Sequence, residues 1–305
     1  MASSVYLDMD PGHDDALALL VALALMPVRG LTTVAGNQTG DKTYLNARRI
    51  LFLANQLHLP VAPGYNRPLF RNLVTAAHVH GQSGLDGYEF PEISPPDRSM
   101  DAMQFLEIAF AKEQEPVVWI ATGPLTNVAA FLIGHPHLHQ KISQIAFMGG
   151  SLSGGNITPY AEFNTYVDPD AAAYVVGCGI PITMVGLDVT HKALLAQKDL
   201  ERFRCLKPPI GEMLYRLFTF FAGHEPNAGD RGMPIHDVLA IAAIANPGVF
   251  TWEKISLHIE RCDEKRRGAT EIKRPGSGYP EIKVAVDIDV SGFFEWFWQS
   301  LVYYQ

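Results

Sequence analysis

The sequence predicts an α/β fold: a single doubly wound, Rossmann-like domain spanning residues 1–305, with a mostly parallel central sheet and the site at the carboxyl ends of its strands. Three observations predict it. Short apolar runs recur at Val5-Tyr-Leu7, Leu31-Thr-Thr-Val34, Val117-Val-Trp-Ile120, Ile145-Ala-Phe-Met148 and Ile182-Thr-Met-Val185. Each run is continuous rather than alternating, as in strands covered by helices on both faces. Longer segments separate the runs, the pattern of βαβ units, and 48% hydrophobic against 18% charged residues supplies a large core. The length of 305 residues would admit two domains of roughly 150 each, but single α/β domains commonly exceed about 200.

The first strand, at Val5–Leu7, leads through an acidic loop to Ala16–Met26, an uncharged apolar stretch of 11 residues ending at Pro27. A membrane span needs about 18 or more such residues, so a buried helix is expected, and no membrane partner. Four aspartates precede the stretch where a signal peptide would carry basic residues. Between the third and fourth strands, Gly-Pro followed by Thr126-Asn127 opens a helix over Leu125–Phe131. Loops are expected at Phe90–Arg98, Ser151–Pro159 and His224–Pro234, where Gly and Pro concentrate. Toward the end, Glu281–Asp289 alternates as a half-exposed strand, and the aromatic Phe293–Trp298 suits a closing helix.

Lys and Arg number 24 against 32 Asp and Glu, a net charge of −8. This removes the basic footprint that nucleic-acid binding requires, so no nucleic-acid partner is expected. The run Lys265-Arg266-Arg267, beside Asp263 and Glu264, reads as a solvated loop. Cys178, Cys205 and Cys262 are odd in number and lack CxxC spacing, which argues against a disulfide framework or a zinc cluster and for a reducing cytoplasm.

The most informative segment is Asp8-Met-Asp10-Pro-Gly-His-Asp14-Asp15, between the first strand and the buried helix. Helix capping accounts for one or two aspartates but not for four crowded together. Like charges this close require protonation or a cation, and a hard, oxygen-preferring ion such as Ca²⁺ or Mg²⁺ is the economical answer. An EF-hand loop counted from Asp8 would place Gly at its sixth position and Glu at its twelfth, where the chain has His13 and Leu19. A phosphatase of the haloacid dehalogenase type also begins with strand-Asp-x-Asp, but usually carries Thr or Val where this chain has Gly12. His13 reads as a turn residue bonded to backbone, and His135, His137 and His139 as an exposed turn at a helix end rather than a metal site.

The N-terminal Asp8-x-Asp10-x-x-x-Asp14-Asp15 resembles the signature of the inosine–uridine-preferring nucleoside hydrolases. Six further blocks are similar to that family in order and separation: Asn37 in Val34-Ala-Gly-Asn37, Ala121-Thr122-Gly-Pro-Leu-Thr-Asn127, Met148-Gly-Gly150, Gly155-Asn156, Ala161-Glu162-Phe163-Asn164 and His236-Asp237. The resemblance implies a Ca²⁺ ion held by Asp10, Asp15, Asp237 and the main-chain carbonyl of Thr122, with Asp10 also the general base toward water. It implies ribose contacts from Asp14, Asn37, Asn156, Glu162, Asn164 and Asp237, with Met148 packed alongside. His236 matches the leaving-group acid, and His80 a second histidine near the base. The implied reaction is hydrolysis of the N-glycosidic bond of a ribonucleoside such as uridine, cytidine or inosine, through an oxocarbenium-like transition state. Retention of Asp10 and His236, which a mere nucleoside binder need not keep, counts against a non-catalytic role. In this family the segment before His236 sets base preference. Here that stretch is Phe220–Arg231, where His224, Asn227 and Arg231 are candidates and the lean is toward pyrimidines or broad specificity. Homodimers or homotetramers are expected from the family.

Overall fold

A computed structural model describes residues 3–94, 99–224 and 232–305. Among the described residues eleven strands run in chain order: β1 Val5–Met9, β2 Val28–Thr33, β3 Val61–Pro63, β4 Val117–Ala121, β5 Ile142–Met148, β6 Ile182–Val185, β7 Leu194–Leu195, β8 Met233–Pro234, β9 Phe250–Ile259, β10 Thr270–Lys273 and β11 Glu281–Ile288. Nine of them form one sheet in the order β10-β9-β11-β6-β5-β4-β1-β2-β3. Its pairings are parallel from β11 across to β3 and antiparallel only where β9 meets β11 and β10. The mostly parallel α/β expectation is met.

The five runs read from the sequence are all strands of this sheet, each starting or ending within a few residues of the expectation. β1 is buried at every position, VYLDM, because helices cover both faces. Val5, Leu7 and Met9 pack with the helices His13–Leu25, Ile210–Ala222 and His236–Ala245. Tyr6 faces the opposite layer, where Phe110, Trp119 and Phe131 meet edge-on. The apolar stretch after the acidic loop is the helix His13–Leu25, buried from His13 through Ala22. Among the described residues no helix is long and apolar enough to cross a membrane.

Strand order reverses at β1, which has β2 on one side and β4, later in the chain, on the other. In a parallel sheet the loops leaving two such strands diverge and open a crevice at their carboxyl ends. The chain enters that crevice at Asp10 after β1 and at Thr122 after β4. A separate two-stranded ribbon, β7 against β8, then delivers the chain to His236 at the start of the helix His236–Ala245.

Glu281–Asp289 forms the half-exposed strand expected: β11 lies inside the sheet between β6 and β9, with Ile282, Val284, Ala285 and Ile288 buried and Glu281 and Asp287 exposed. One expectation is corrected. The run Lys265–Arg267 is a turn, but only Lys265 is exposed. Arg266 pairs with Glu271, and Arg267 donates to the Val167 carbonyl over the Tyr166 ring. The last apolar segment is a helix as expected, Val290–Ser300. His135 and His139 each bond a main-chain carbonyl at the end of the helix Thr126–Gly134, and they belong to no metal-ligating group among the described residues.

Candidate active site

A cleft opens at the crevice, its empty space of about 680 Å³ including open solvent at the mouth. It is lined by ten of the twelve residues expected from the sequence: Asp14, Asn37, His80, Thr122, Met148, Asn156, Glu162, Asn164, His236 and Asp237. The other two, Asp10 and Asp15, lie just beneath and are buried. Segments scattered over more than 220 positions are thus gathered by the strand ends.

Two helix N-termini converge on the acidic group. Asp14 and Asp15 occupy the first turn of the helix His13–Leu25, and Asp237 the first turn of the helix His236–Ala245. Partial positive charge at a helix start favours carboxylates there. Asp15 is fixed at both oxygens: Oδ1 accepts from the Thr122 hydroxyl at 2.7 Å, and Oδ2 from the Gly12 N–H at 3.0 Å and the Asn37 amide at 3.1 Å. Asp10 Oδ2 accepts the Asn37 N–H at 2.7 Å. Ligand oxygens of Asp14, Asp15 and Asp237 lie within 4.8 Å of one another. No Lys or Arg lines the cleft among the described residues.

Burial raises the pKa of Asp10 well above the ordinary carboxylate range, and the neighbouring Asp15 raises it further. Asp237 is pushed up by burial and by Asp14, Asp15 and Asp10, and Asp15 by burial. Crowded buried carboxylates of this kind could bind a neutralising cation. The cluster's donors are carboxylates and a carbonyl, all hard oxygens, so the residues present suit a hard divalent ion rather than a thiophilic one.

Above the acidic floor the walls are polar and held in place. Glu162 caps the helix Phe163–Val167 through Oε1 to the Asn164 N–H at 2.7 Å, while Oε2 accepts from Gly150 N–H at 2.9 Å. Burial still raises its pKa. The Asn164 amide donates to the carbonyls of Thr122 and Met148 at 2.7 and 3.1 Å. The Asn156 side chain accepts from the Phe163 N–H at 2.9 Å.

His13 departs from expectation. It bonds a main-chain carbonyl as expected, Nε2 to Asp86 O at 2.9 Å, but it is fully buried at the start of a helix and stacks on His80, Phe220 and Phe221. Its N–H donates to His80 Nδ1 at 3.2 Å. Burial lowers the His13 pKa to about 4 and that of His236 to about 3, and His80 also lies well below the usual imidazole value. All three are neutral at pH 7. Gly12 makes this packing possible, since a Cβ there would sit 2.7 Å from His80 Nδ1 and 2.8 Å from the Asn37 amide.

Of the three base-contact candidates, His224 does not line the cleft; it stacks on Phe220 and bonds the Phe220 carbonyl at 2.9 Å. Asn227 and Arg231 lie outside the described residues. The cleft also takes Ala76, His78, Val79, Ile157, Phe163 and Phe221, side chains with no motif to announce them. Of these, Val79 adjoins His80, and Ile157, Phe163 and Phe221 fell inside segments singled out from the sequence.

Asp8, the first aspartate of the loop, does not join the group. It ends in the opposite layer, where Oδ1 accepts from the Thr32 hydroxyl at 2.6 Å and the Asn127 amide at 2.7 Å, while Oδ2 is buried without a partner. Burial raises its pKa from 3.8 to about 7. A raised carboxyl pKa favours the folded state fully below pH 3.8, and this contribution is lost as pH rises toward about 7. Asp8→Asn keeps both accepted bonds and removes the buried charge. It is expected to raise thermal stability at pH 8 by an amount on the order of a few kcal/mol, to change it little at pH 4, and to leave turnover intact. Melting curves at the two pH values and a turnover assay check this. A phosphatase using Asp8 as nucleophile would instead lose all activity.

A parallel α/β sheet that brings an all-oxygen acidic cradle and neutral histidines to one cleft at its switch point has the build of a metal-dependent hydrolase. Comparison with known proteins gives the family. Residues 5–295 match the model of the inosine-uridine preferring nucleoside hydrolases. The chain is 43% identical to a pyrimidine-specific ribonucleoside hydrolase, RihA, of Shewanella woodyi, over all of this chain and 99% of that one. Among solved structures it resembles a plant nucleoside hydrolase, PpNRh1, at a TM-score of 0.92 and 30% identity, covering 99% of both chains. It also resembles a purine-preferring ribonucleoside hydrolase from Gardnerella vaginalis at 0.91 and 30%, covering 98% of both. The chain belongs to the inosine-uridine preferring nucleoside hydrolase family, whose enzymes cleave N-glycosidic bonds.

Proposed function

We propose that this chain is a Ca²⁺-dependent ribonucleoside N-ribohydrolase with a preference for pyrimidine nucleosides, built as one domain over residues 1–305 and acting in nucleoside catabolism or salvage in the cytoplasm as a homodimer or homotetramer. The observation that carries it is the buried acidic group of Asp10, Asp14, Asp15 and Asp237 at the floor of a cleft whose walls are amide, carboxylate and imidazole. Asp10, Asp15, Asp237 and the Thr122 carbonyl would hold the ion. When bound, it supplies charge neutralisation and Lewis acidity toward water.

Asp10 takes the proton from the attacking water, with its carboxylate aimed by the Asn37 N–H. Asp14, Asn37, Asn156, Glu162, Asn164 and Asp237 bind and orient the ribose hydroxyls, with Met148 packed beneath. As the C1′–N bond breaks, positive charge develops on C1′ and the ring oxygen. The anionic floor and Glu162 stabilise that charge more than the neutral ground state. His236 and His80 meet the departing base at the other end of the cleft.

The preference for pyrimidines draws on the 43% identity to a relative named pyrimidine-specific, against 30% to one named purine-preferring. The expected outcome is a kcat/KM for uridine or cytidine above that for inosine by at least about 10-fold, a difference of roughly 1.4 kcal/mol in transition-state binding. Steady-state kinetics on the three nucleosides decide it, and an inosine value equal to or above uridine overturns the preference.

A further inference from the structure

The helix Leu187–Thr190 leaves β6 directly behind His236. Its backbone is held by the loop after β5 and by its own turn: the Leu187 N–H donates to the Gly150 carbonyl at 3.0 Å, and the Thr190 N–H to the Gly186 carbonyl at 3.2 Å. Thr190 is fully buried and does not line the cleft. Its hydroxyl lies 2.7 Å from His236 Nδ1 and has no other hydrogen-bond partner among the described residues. On the other side, the His191 ring lies 5.6 Å from the His236 ring.

A buried hydroxyl carries one hydrogen and must place it on an acceptor. Here the acceptor is the Nδ1 lone pair, because accepting from an Nδ1–H would strand the hydroxyl hydrogen in a buried site. A ring nitrogen that accepts leaves the proton on the other nitrogen. We propose that Thr190 is a positioning residue that fixes His236 as the Nε2–H tautomer and aims that N–H into the cleft at the departing base. The inference rests on the ribohydrolase reading and deepens it. His236 then serves as a preset hydrogen-bond donor to the base as it leaves with the electron pair of the glycosidic bond. Thr190 never touches substrate.

The test compares wild type, Thr190→Val, Thr190→Ser and His236→Ala on uridine and on nitrophenyl β-ribofuranoside, whose leaving group departs as a phenolate without help. Valine matches threonine in shape and lacks the hydroxyl. The expected result for Thr190→Val is a kcat on uridine lower by roughly 10–100-fold, the usual loss on removing a partner that orients a functional histidine. KM and turnover of the nitrophenyl riboside stay near wild type in Thr190→Val, Thr190→Ser restores uridine turnover, and His236→Ala lowers uridine turnover at least as far as Thr190→Val. Equal losses on both substrates mean a merely structural role and overturn the proposal, as does unchanged turnover of uridine by Thr190→Val. Wild type inactive on every riboside defeats the ribohydrolase reading instead. Thr190 is then judged by the imidazole nitrogen NMR spectrum of the wild-type protein, where His236 protonated at Nε2 supports the assignment and protonated at Nδ1 overturns it.

Discussion

Replacing Asp10 with alanine is expected to lower kcat on uridine by on the order of 10³–10⁴-fold, the scale of a lost general base. Asp10 stands where β1 ends, at the switch point of the sheet, and its carboxylate is oriented by the Asn37 N–H at 2.7 Å. Burial and the neighbouring Asp15 both push its pKa up, so a cation bound by the group would also hold Asp10 as the anion able to take a proton. Alanine removes the base and one carboxylate of the cradle together. The variant should fold, because it relieves repulsion among buried carboxylates when no ion is bound. Its melting temperature in chelator is therefore expected to equal or exceed that of wild type, while the stabilisation gained on adding Ca²⁺ shrinks. A variant that retains more than a tenth of wild-type turnover would remove Asp10 from the mechanism.

The second large effect comes from a residue with no side chain. A Cβ on Gly36 would lie 2.1 Å from Asp10 Oδ2 and 2.7 Å from Pro124 Cδ. Asp10 is flanked on its other side by Gly123, where a Cβ would likewise lie 2.7 Å from Asp10 Oδ1. The Gly36 N–H also donates to the Gln38 carbonyl at 3.0 Å, tying the turn that carries Asn37. Gly36→Ala must therefore move Asp10, the Asn37 N–H or both. A displacement near 1 Å at a reacting group costs about 10² in rate, so kcat is expected to fall by at least about that factor. Kinetics of the purified variant beside its melting curve separate a misplaced carboxylate from a failed fold, and wild-type turnover would contradict the tight packing around Asp10.

The parallel strands β1, β2, β4, β5 and β6 were legible in the sequence because each carries a continuous apolar run, so burial on both faces leaves its mark. The three-residue β3 was too short to stand out. The antiparallel edge was not legible either. β9 mixes Glu253 and Lys254 with Ile255 and Leu257, β10 has only four residues, and the interior position of β11 is decided by which strands flank it. In the cleft, carboxylates, amides and histidines stood out because crowded like charges and family blocks are visible in one dimension. Val79, Ile157 and Phe221 carry no such mark, and tertiary packing alone brings them in. The same holds for Thr190, an ordinary hydroxyl whose significance lies in being 2.7 Å from a histidine 46 positions away. Asp8 taught the opposite lesson: it shares the motif, yet the alternation of β1 turns it to the other face of the sheet, onto Asn127 and Thr32.

The most direct test is release of reducing sugar from uridine, cytidine, inosine and adenosine by the purified protein, measured as isolated, after chelation and after restoring Ca²⁺, with Asp10→Ala as the control. Ribose should appear fastest from the pyrimidine nucleosides, stop on chelation, return with Ca²⁺ and be absent in the variant. Release undiminished in Asp10→Ala would remove Asp10 from the mechanism, and no ribose from any of the four with Ca²⁺ demonstrably bound would contradict the account and put a non-catalytic nucleoside binder in its place.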